Sequence, residues 1–111
     1  MAYDEELAER IRIALADRND VREQKMFGGI AFMIRDRMAI GVIRDDLIVK
    51  VGNDAAAEAL AQPHARPMDF SGRPAKGMVY VAPAGVGTDE ELRNWVERAL
   101  QANEAEAARR N

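Results

Sequence analysis

The residues of this chain that could do chemistry begin with a single histidine. His64 has Asp69 five residues downstream and Arg66 between them. A catalytic histidine needs an orienting carboxylate and a nucleophile or bound water within reach. Ser71 is near in sequence, but its Phe-Ser-Gly context is typical of a turn. The sequence therefore favours a loop or hydrogen-bonding role for His64 over a catalytic one.

Four cations in or beside the second half of the predicted sheet form a candidate anion patch: Lys50, Arg66, Arg73 and Lys76. If such side chains converge, they can hold a phosphate or a carboxylate. The alternative is that they form surface ion pairs with neighbouring aspartates, which contribute little to stability. The sequence favours the ion pairs. It leaves open a small-anion binder or an enzyme that would use His64, Asp69, Arg66 and Arg73.

A glycine pair lies inside a candidate binding surface that comprises Lys25, Met26, Phe27, Gly28 and Gly29. Glycine pairs let a backbone approach a phosphate, but a phosphate loop also needs a helix N-terminus beside it. Here an apolar strand follows, so we expect a tight turn or bulge with positive φ at the glycines. Met26 and Phe27 either fill a core, which is the usual role of methionine in a strand, or border an exposed binding surface.

Composition excludes several kinds of site. The 111 residues include no cysteine and one histidine, which excludes disulfides, zinc ribbons, thiol catalysis and histidine-pair metal sites. Sixteen Lys and Arg against 19 Asp and Glu give a net charge of -3, whereas domains that neutralise phosphates are usually strongly basic. No apolar run is long enough for a membrane span or a secretion signal. We therefore expect a cytoplasmic globular domain without cofactor, metal or membrane association.

Hydrophobic periodicity predicts the elements that position these residues. Residues 3–16 carry apolar side chains at helical spacing, with Asp4 as the N-cap. Between residues 21 and 51 the apolar runs are short, and the polar breaks between them are too short for parallel crossovers. This region predicts an antiparallel meander of three or four strands.

The second half predicts two helices around a hairpin. Residues 55–60 form a short helix that Asn53 or Asp54 can cap, and it ends before Pro63. Residues 68–70 and 78–82 are predicted strands, joined by a turn-rich loop over residues 71–77. Thr88 and Glu91 have the spacing of a capping box, and the helix that follows carries an apolar face: Leu92, Trp95, Val96, Ala99 and Leu100.

The predicted order is α-β(3–4)-α-β(2)-α, an α+β two-layer sandwich of an antiparallel sheet and helices. We expect one domain over residues 1–102 and a polar, fraying helical tail over 103–111, supported by a Glu106–Arg110 pair. Strands 30–34 and 38–43 are apolar on both faces. In an antiparallel sheet with one face in water, apolar and polar residues should alternate along each strand. Either helices or a second chain must cover the second face, so a homodimer is a hypothesis.

Several segments, in this order, resemble the TfoX/Sxy N-terminal domain family: Lys25-Met26-Phe27-Gly28-Gly29, Ile43 to Lys50, Arg66-Pro67-Met68-Asp69-Phe70, Gly72-Arg73-Pro74 and Lys76-Gly77. The resemblance extends from about Tyr3 to Leu100. It implies a helix–sheet–helix–hairpin–helix fold similar to secretion-chaperone-like domains. It also implies kinship with regulators of natural competence, which act at promoters together with the cyclic-AMP receptor protein and carry a further C-terminal domain. The family supplies no established catalytic residues.

The leading functional hypothesis is a non-enzymatic interaction module that binds a protein partner. The resemblance to competence regulators suggests that this binding serves transcriptional regulation. Its support is the resemblance, the doubly apolar strands and the lack of a reactive constellation. A second hypothesis is direct nucleic-acid binding, because 13 arginines could cluster on one face despite the net charge. The third is the small-anion binder or enzyme described above.

Overall fold

A computed structural model describes residues 3–26, 28–70 and 72–109, with backbone only at residues 70, 73 and 74. Its helices and strands, in chain order, are α1 (Glu5–Ala14), β1 (Val21–Met26), β2 (Gly29–Ile34), β3 (Arg37–Ile43), β4 (Asp46–Lys50), α2 (Ala56–Leu60), β5 (Ala65–Phe70), β6 (Arg73–Val81) and α3 (Asp89–Arg109). A single 3-10 turn, Pro83–Gly85, precedes α3. The α+β class and the order of elements are confirmed, with four strands in the meander.

The six strands form one antiparallel sheet in the order β1-β2-β3-β4-β6-β5. The meander accounts for the first four positions. β6 then pairs with β4, Leu47 lying opposite Val81, and β5 takes the outer edge. The later hairpin therefore enters the sheet by its second strand.

All three helices pack on one face of this sheet. Along β2, Ile30, Phe32 and Ile34 point into the core that α1 and α3 share. The alternate residues Gly29, Ala31 and Met33 must then lie on the opposite face. We call this second face, which no helix among the described residues covers, the open face.

α1 begins where the sequence predicts its cap. Asp4 Oδ1 accepts hydrogen bonds from the backbone N–H groups of Glu6, at 2.9 Å, and Leu7, at 3.1 Å. These bonds satisfy two of the N–H groups that a helix leaves unpaired at its start. The buried face of α1 is formed by Leu7, Ala8 and Ile11.

α3 begins with the predicted capping box. The N–H of Glu91 donates to Thr88 Oγ1 at 3.1 Å, and the N–H of Thr88 donates to Glu91 Oε1 at 2.9 Å. Trp95 is 5% exposed and lies in the core, as the helical spacing predicts.

The C-terminal part of α3 is docked on the sheet. Asn103 is 5% exposed, and its Nδ2 donates to the carbonyl oxygen of Ile34 at 2.9 Å. Glu106 lies 3.3 Å from Lys50 and 3.6 Å from Arg37. The helix continues to Arg109, while residues 110 and 111, and with them the predicted Glu106–Arg110 pair, lie outside the described residues. The boundary at residue 102 stays a prediction.

The predicted cap of α2 is wrong. Its N-cap is Ala55, and no side chain caps the helix. The preceding residues serve the sheet instead: the N–H groups of Val51 and Gly52 donate to the carbonyl oxygen of Gly77 at 2.8 and 3.0 Å. This turn, which closes the end of β4 onto β6, keeps Asn53 and Asp54 from capping α2.

Candidate functional site

The open face carries a shallow apolar groove with a volume of about 360 Å³. Of the residues that the structure describes, only strand residues line it, and four of them are methionines, namely Met26, Met38, Met68 and Met78. Lys50 is the one charged residue in the described lining. A groove of this size and character lies at the lower end of the range for ligand and side-chain pockets.

Small residues on β2 and β3 make the floor of the groove. Gly29 and Ala31 are both buried, and Gly41 lies directly opposite Ala31 in the register. A Cβ atom at Gly29 would lie 2.5 Å from the carbonyl oxygen of Val42, closer than real Cβ atoms come. The backbones of β2 and β3 therefore approach each other too closely for a side chain here, and the longer methionine and isoleucine side chains stand around a depression.

The sheet curves around this groove. All six strands contribute a residue to it, from Met26 on one edge strand to Met68 on the other. Two register shifts, opposite Phe32–Met33 of β2 and opposite Pro67–Asp69 of β5, mark irregularities whose extra residues lie on β3 and β6. Because bulges bend and twist a strand, they bring the outer strands towards one concave surface.

The residues of the candidate binding surface do not all lie on one face of the sheet. Met26 and Gly29 line the groove, and Gly28 forms the turn between β1 and β2 with φ at 79°, as the sequence predicts. Gly29 does not have a positive φ; the close approach of β3 requires it instead. Lys25 lies opposite Ile30 and thus on the helix side of β1, and Phe27 lies outside the described residues.

Two members of the candidate anion patch, Lys50 and Arg66, form ion pairs with carboxylates. Lys50 Nζ lies 3.3 Å from Glu106 Oε1. Arg66 Nη2 lies 2.6 Å from Asp46 Oδ2, and its guanidinium lies 4.8 Å from the centre of the Tyr80 ring. The strands β4 and β5 that carry these two cations are separated by β6.

The remaining two members of the patch are Lys76 and Arg73. Lys76 is exposed, and the side chain of Arg73 lies outside what the structure describes. The geometry of the described residues thus matches the ion-pair alternative for Lys50 and Arg66.

His64 lies away from the open-face groove. It occupies an exposed turn between α2 and β5 with φ at 68°, and it lines a separate groove of about 400 Å³ beside Trp95 and Glu91. Arg66, by contrast, projects onto the open face towards Asp46. Hydrogen bonds from Thr88 hold the pKa of the Glu91 carboxyl below its usual range, with a smaller contribution from the charge of His64.

Two residues of the possible catalytic set, His64 and Arg66, therefore lie on different surfaces, and Asp69 is exposed on β5. Within the described residues, no group of three His, Cys, Asp or Glu side chains could hold a metal ion. In that same part of the chain, no helix is both long and apolar enough to cross a membrane.

Sequence reasoning missed most of the groove. It named Met26 and Gly29 in the candidate binding surface and Lys50 in the candidate anion patch, and it treated core filling as the usual role of methionine in a strand. The signal that was available is the apolar character of both faces of β2 and β3, which predicts an additional covered surface without placing it.

The sequence matches a known protein family. The model of the TfoX N-terminal domain matches residues 14–103 of the 111 residues. Comparisons with curated proteins and with solved structures gave no match. The family match covers most of the chain, including every strand that forms the groove, and the chain therefore belongs to the TfoX N-terminal domain family.

Proposed function

We propose that the chain is a non-enzymatic interaction module that binds a protein partner through the groove on its open face. The family match supports a competence-regulator-like module, and the TfoX N-terminal domain is not a known enzyme family. The observation that carries the proposal is the strand-lined apolar groove, which lies on the side of the sheet opposite the helices.

The chemistry of the groove suits a protein surface. Methionine side chains are unbranched and polarizable, so they adapt to the shape of an apolar partner. Surfaces rich in methionine can repack around different sequences. A role in transcriptional regulation would follow from the family kinship, with the partner a component of that machinery.

Direct nucleic-acid binding has weaker support. Eight arginines each lie within 4.0 Å of a carboxylate, namely Arg10, Arg12, Arg18, Arg22, Arg35, Arg37, Arg66 and Arg98. Paired arginines present less unbalanced positive charge to phosphates, which are held mainly by such charge. A protein partner therefore ranks ahead of a nucleic acid.

Co-purification with a groove variant tests the proposal. Met78 lies on the groove wall opposite Lys50, so Met78→Glu places a carboxylate in the groove beside a cation that can accept it. Ile13→Glu is the matched control, because Ile13 is 66% exposed on α1, in the helical layer. Circular dichroism of both variants is the check that each keeps the fold.

We expect the tagged native chain and Ile13→Glu to recover the same partner from cell lysate, and Met78→Glu to lose it. Recovery of that partner by a correctly folded Met78→Glu would contradict the proposal. Light scattering on the purified chain tests the homodimer, the alternative occupant of the same face.

A further inference from the structure

We propose that the groove receives an amphipathic α-helix of the partner protein, one that carries acidic residues beside its apolar stripe. This inference rests on the proposed function and specifies the chemistry of the partner. The helix would form a third layer on the sheet, opposite α1 and α3.

The central strands have the composition of a sheet that is covered on both faces. On β2, the helix-side residues Ile30 and Phe32 alternate with Gly29 and Ala31, and all four are buried. Antiparallel strands with one face in water alternate apolar and polar residues instead. A further layer on the open face would cover these strands, and an amphipathic helix laid into a hydrophobic groove is a recurring way in which proteins provide one.

The floor of the groove permits the close approach of another backbone. Gly29, Ala31 and Gly41 present at most one methyl group each, and glycine within a strand often marks a site where another backbone comes near. The methionine and isoleucine side chains around this floor can interdigitate with apolar residues at positions i, i+3, i+4 and i+7 of a helix.

The edges of the sheet disfavour a partner that adds a strand. β1 presents four consecutive polar residues, 22–25, and all four are exposed. β5 carries Pro67, and its pairing with β6 is interrupted by a register shift beside this proline. Charged residues, proline and bulges are the features that keep a sheet edge from pairing with another chain.

The accessible apolar surface is small for a second copy of this chain. Ile48 and Met68 are each 8% exposed, and Met26, Met38 and Met78 are partly buried. A stable interface between two domains typically buries about 800 Å² on each partner. A groove with so little exposed surface fits the side chains of a single helix better than a whole domain.

The charge of Lys50, the one cation in the described lining of the groove, determines which side chains we expect beside the apolar stripe of the helix. Lys50 and Arg37 share a single carboxylate, that of Glu106, at 3.3 and 3.6 Å. These three groups together carry one excess positive charge. A glutamate or aspartate beside the apolar stripe of the partner would complete the pairing, and the negative C-terminal end of its helix dipole favours the same end.

Synthetic peptides and methyl NMR test this inference. The chain is labelled with ¹³C at the methionine ε-methyl groups. Three peptides of about 15 residues, a length at which a constrained helix is stable, are titrated in. The first peptide is a stapled helix with a leucine stripe flanked by glutamates. The second has the same residues, reordered so that apolar and polar residues alternate as in a strand. The third is the stapled helix with lysine in place of each glutamate.

We expect the first peptide to shift the methyl resonances of Met26, Met38, Met68 and Met78. The methyl of Met33, which lies on the same face outside the groove lining, should not shift. The lysine peptide should bind about threefold more weakly, as expected for the loss of one exposed ion pair. Met78→Glu should weaken binding of the first peptide at least tenfold, whereas Ile13→Glu, in the helical layer, should leave it unchanged.

Equal or stronger shifts with the alternating peptide would overturn the helix, as would an absence of shifts with all three peptides. If the methionine methyl resonances shift as the protein is concentrated without any peptide, a second copy of the chain occupies the groove. That result would also overturn the helix proposal. If the helical peptide does not bind but Met78→Glu still abolishes recovery of the partner, the proposed function stands and the helix proposal is wrong. If Met78→Glu also recovers the partner, both proposals are wrong.

Discussion

Replacement of Gly29 by alanine tests how closely the strands approach beneath the groove. An ideal Cβ at Gly29 would lie 2.5 Å from the carbonyl oxygen of Val42, and the atoms next nearest to it, the Cβ and Cα of Ile43, are 3.4 and 3.5 Å away. The nearest atom belongs to the backbone of β3, so no side-chain rotation can relieve the contact. Either β2 or β3 must move, which disturbs the central pair of the meander.

The magnitude follows from two opposing effects. Overpacking of a tightly packed site costs typically about 1–3 kcal/mol. Alanine also restricts the unfolded chain relative to glycine, which favours the folded state by about 0.4–1 kcal/mol. We therefore expect Gly29→Ala to lower the free energy of unfolding by about 1–2 kcal/mol, and the melting temperature of a domain of this size by roughly 4–8 °C.

Urea and thermal denaturation of Gly29→Ala and Gly87→Ala measure the effect. Gly87 is a matched control because it is exposed, lacks a positive φ, and has no atom nearer to an added Cβ than Glu91 Oε1 at 3.8 Å. We expect Gly87→Ala to be neutral or slightly stabilising. If the two variants have equal stability, β2 and β3 do not approach as described and the explanation for Gly29 is wrong.

Three further variants test individual contacts. Asn103→Ala should lower the urea-denaturation free energy by about 1 kcal/mol or more through loss of the bond to Ile34, with exposed Gln101→Ala unchanged. Thr88→Ala should cost about 1 kcal/mol in the same assay by removing the cap of α3. The pKa of Glu23 is lowered from 4.5 by its hydrogen bond from Arg12, so the stability it confers is present above that pH and is lost on acidification. Glu23→Gln should therefore flatten the acid limb of a plot of stability against pH.

The parts of the fold that the sequence predicts well depend on short spacings. The Asp4 cap and the Thr88–Glu91 box connect residues at most three apart, so the local backbone alone brings them together. The antiparallel meander follows because its polar breaks are too short for any other connection. Trp95 is buried because helical spacing places it on the apolar face of α3.

The parts that escape prediction join distant segments. Asn103 reaches a carbonyl group 69 positions away, and Glu106 reaches Lys50 across 56 positions. A polar residue near the end of a polar helix carries no local sign of such a bond. The predicted cap of α2 is wrong because a distant residue shapes the turn before the helix. The N–H of Gly52 in this turn donates to the carbonyl oxygen of Gly77 on another strand.

The groove escaped prediction because its methionines come from four different strands and meet only when the sheet curves. Its floor and the stability of the sheet depend on the same glycines, since a Cβ at Gly41 would also lie 2.8 Å from a backbone oxygen, that of Ile30. A variant of the floor therefore changes folding and binding together, and its loss of binding would be ambiguous. The methionines of the wall can change with less effect on strand approach, because their side chains project from the backbone into the groove. Met78, opposite Lys50, is for this reason the position at which a binding defect can be separated from a folding defect.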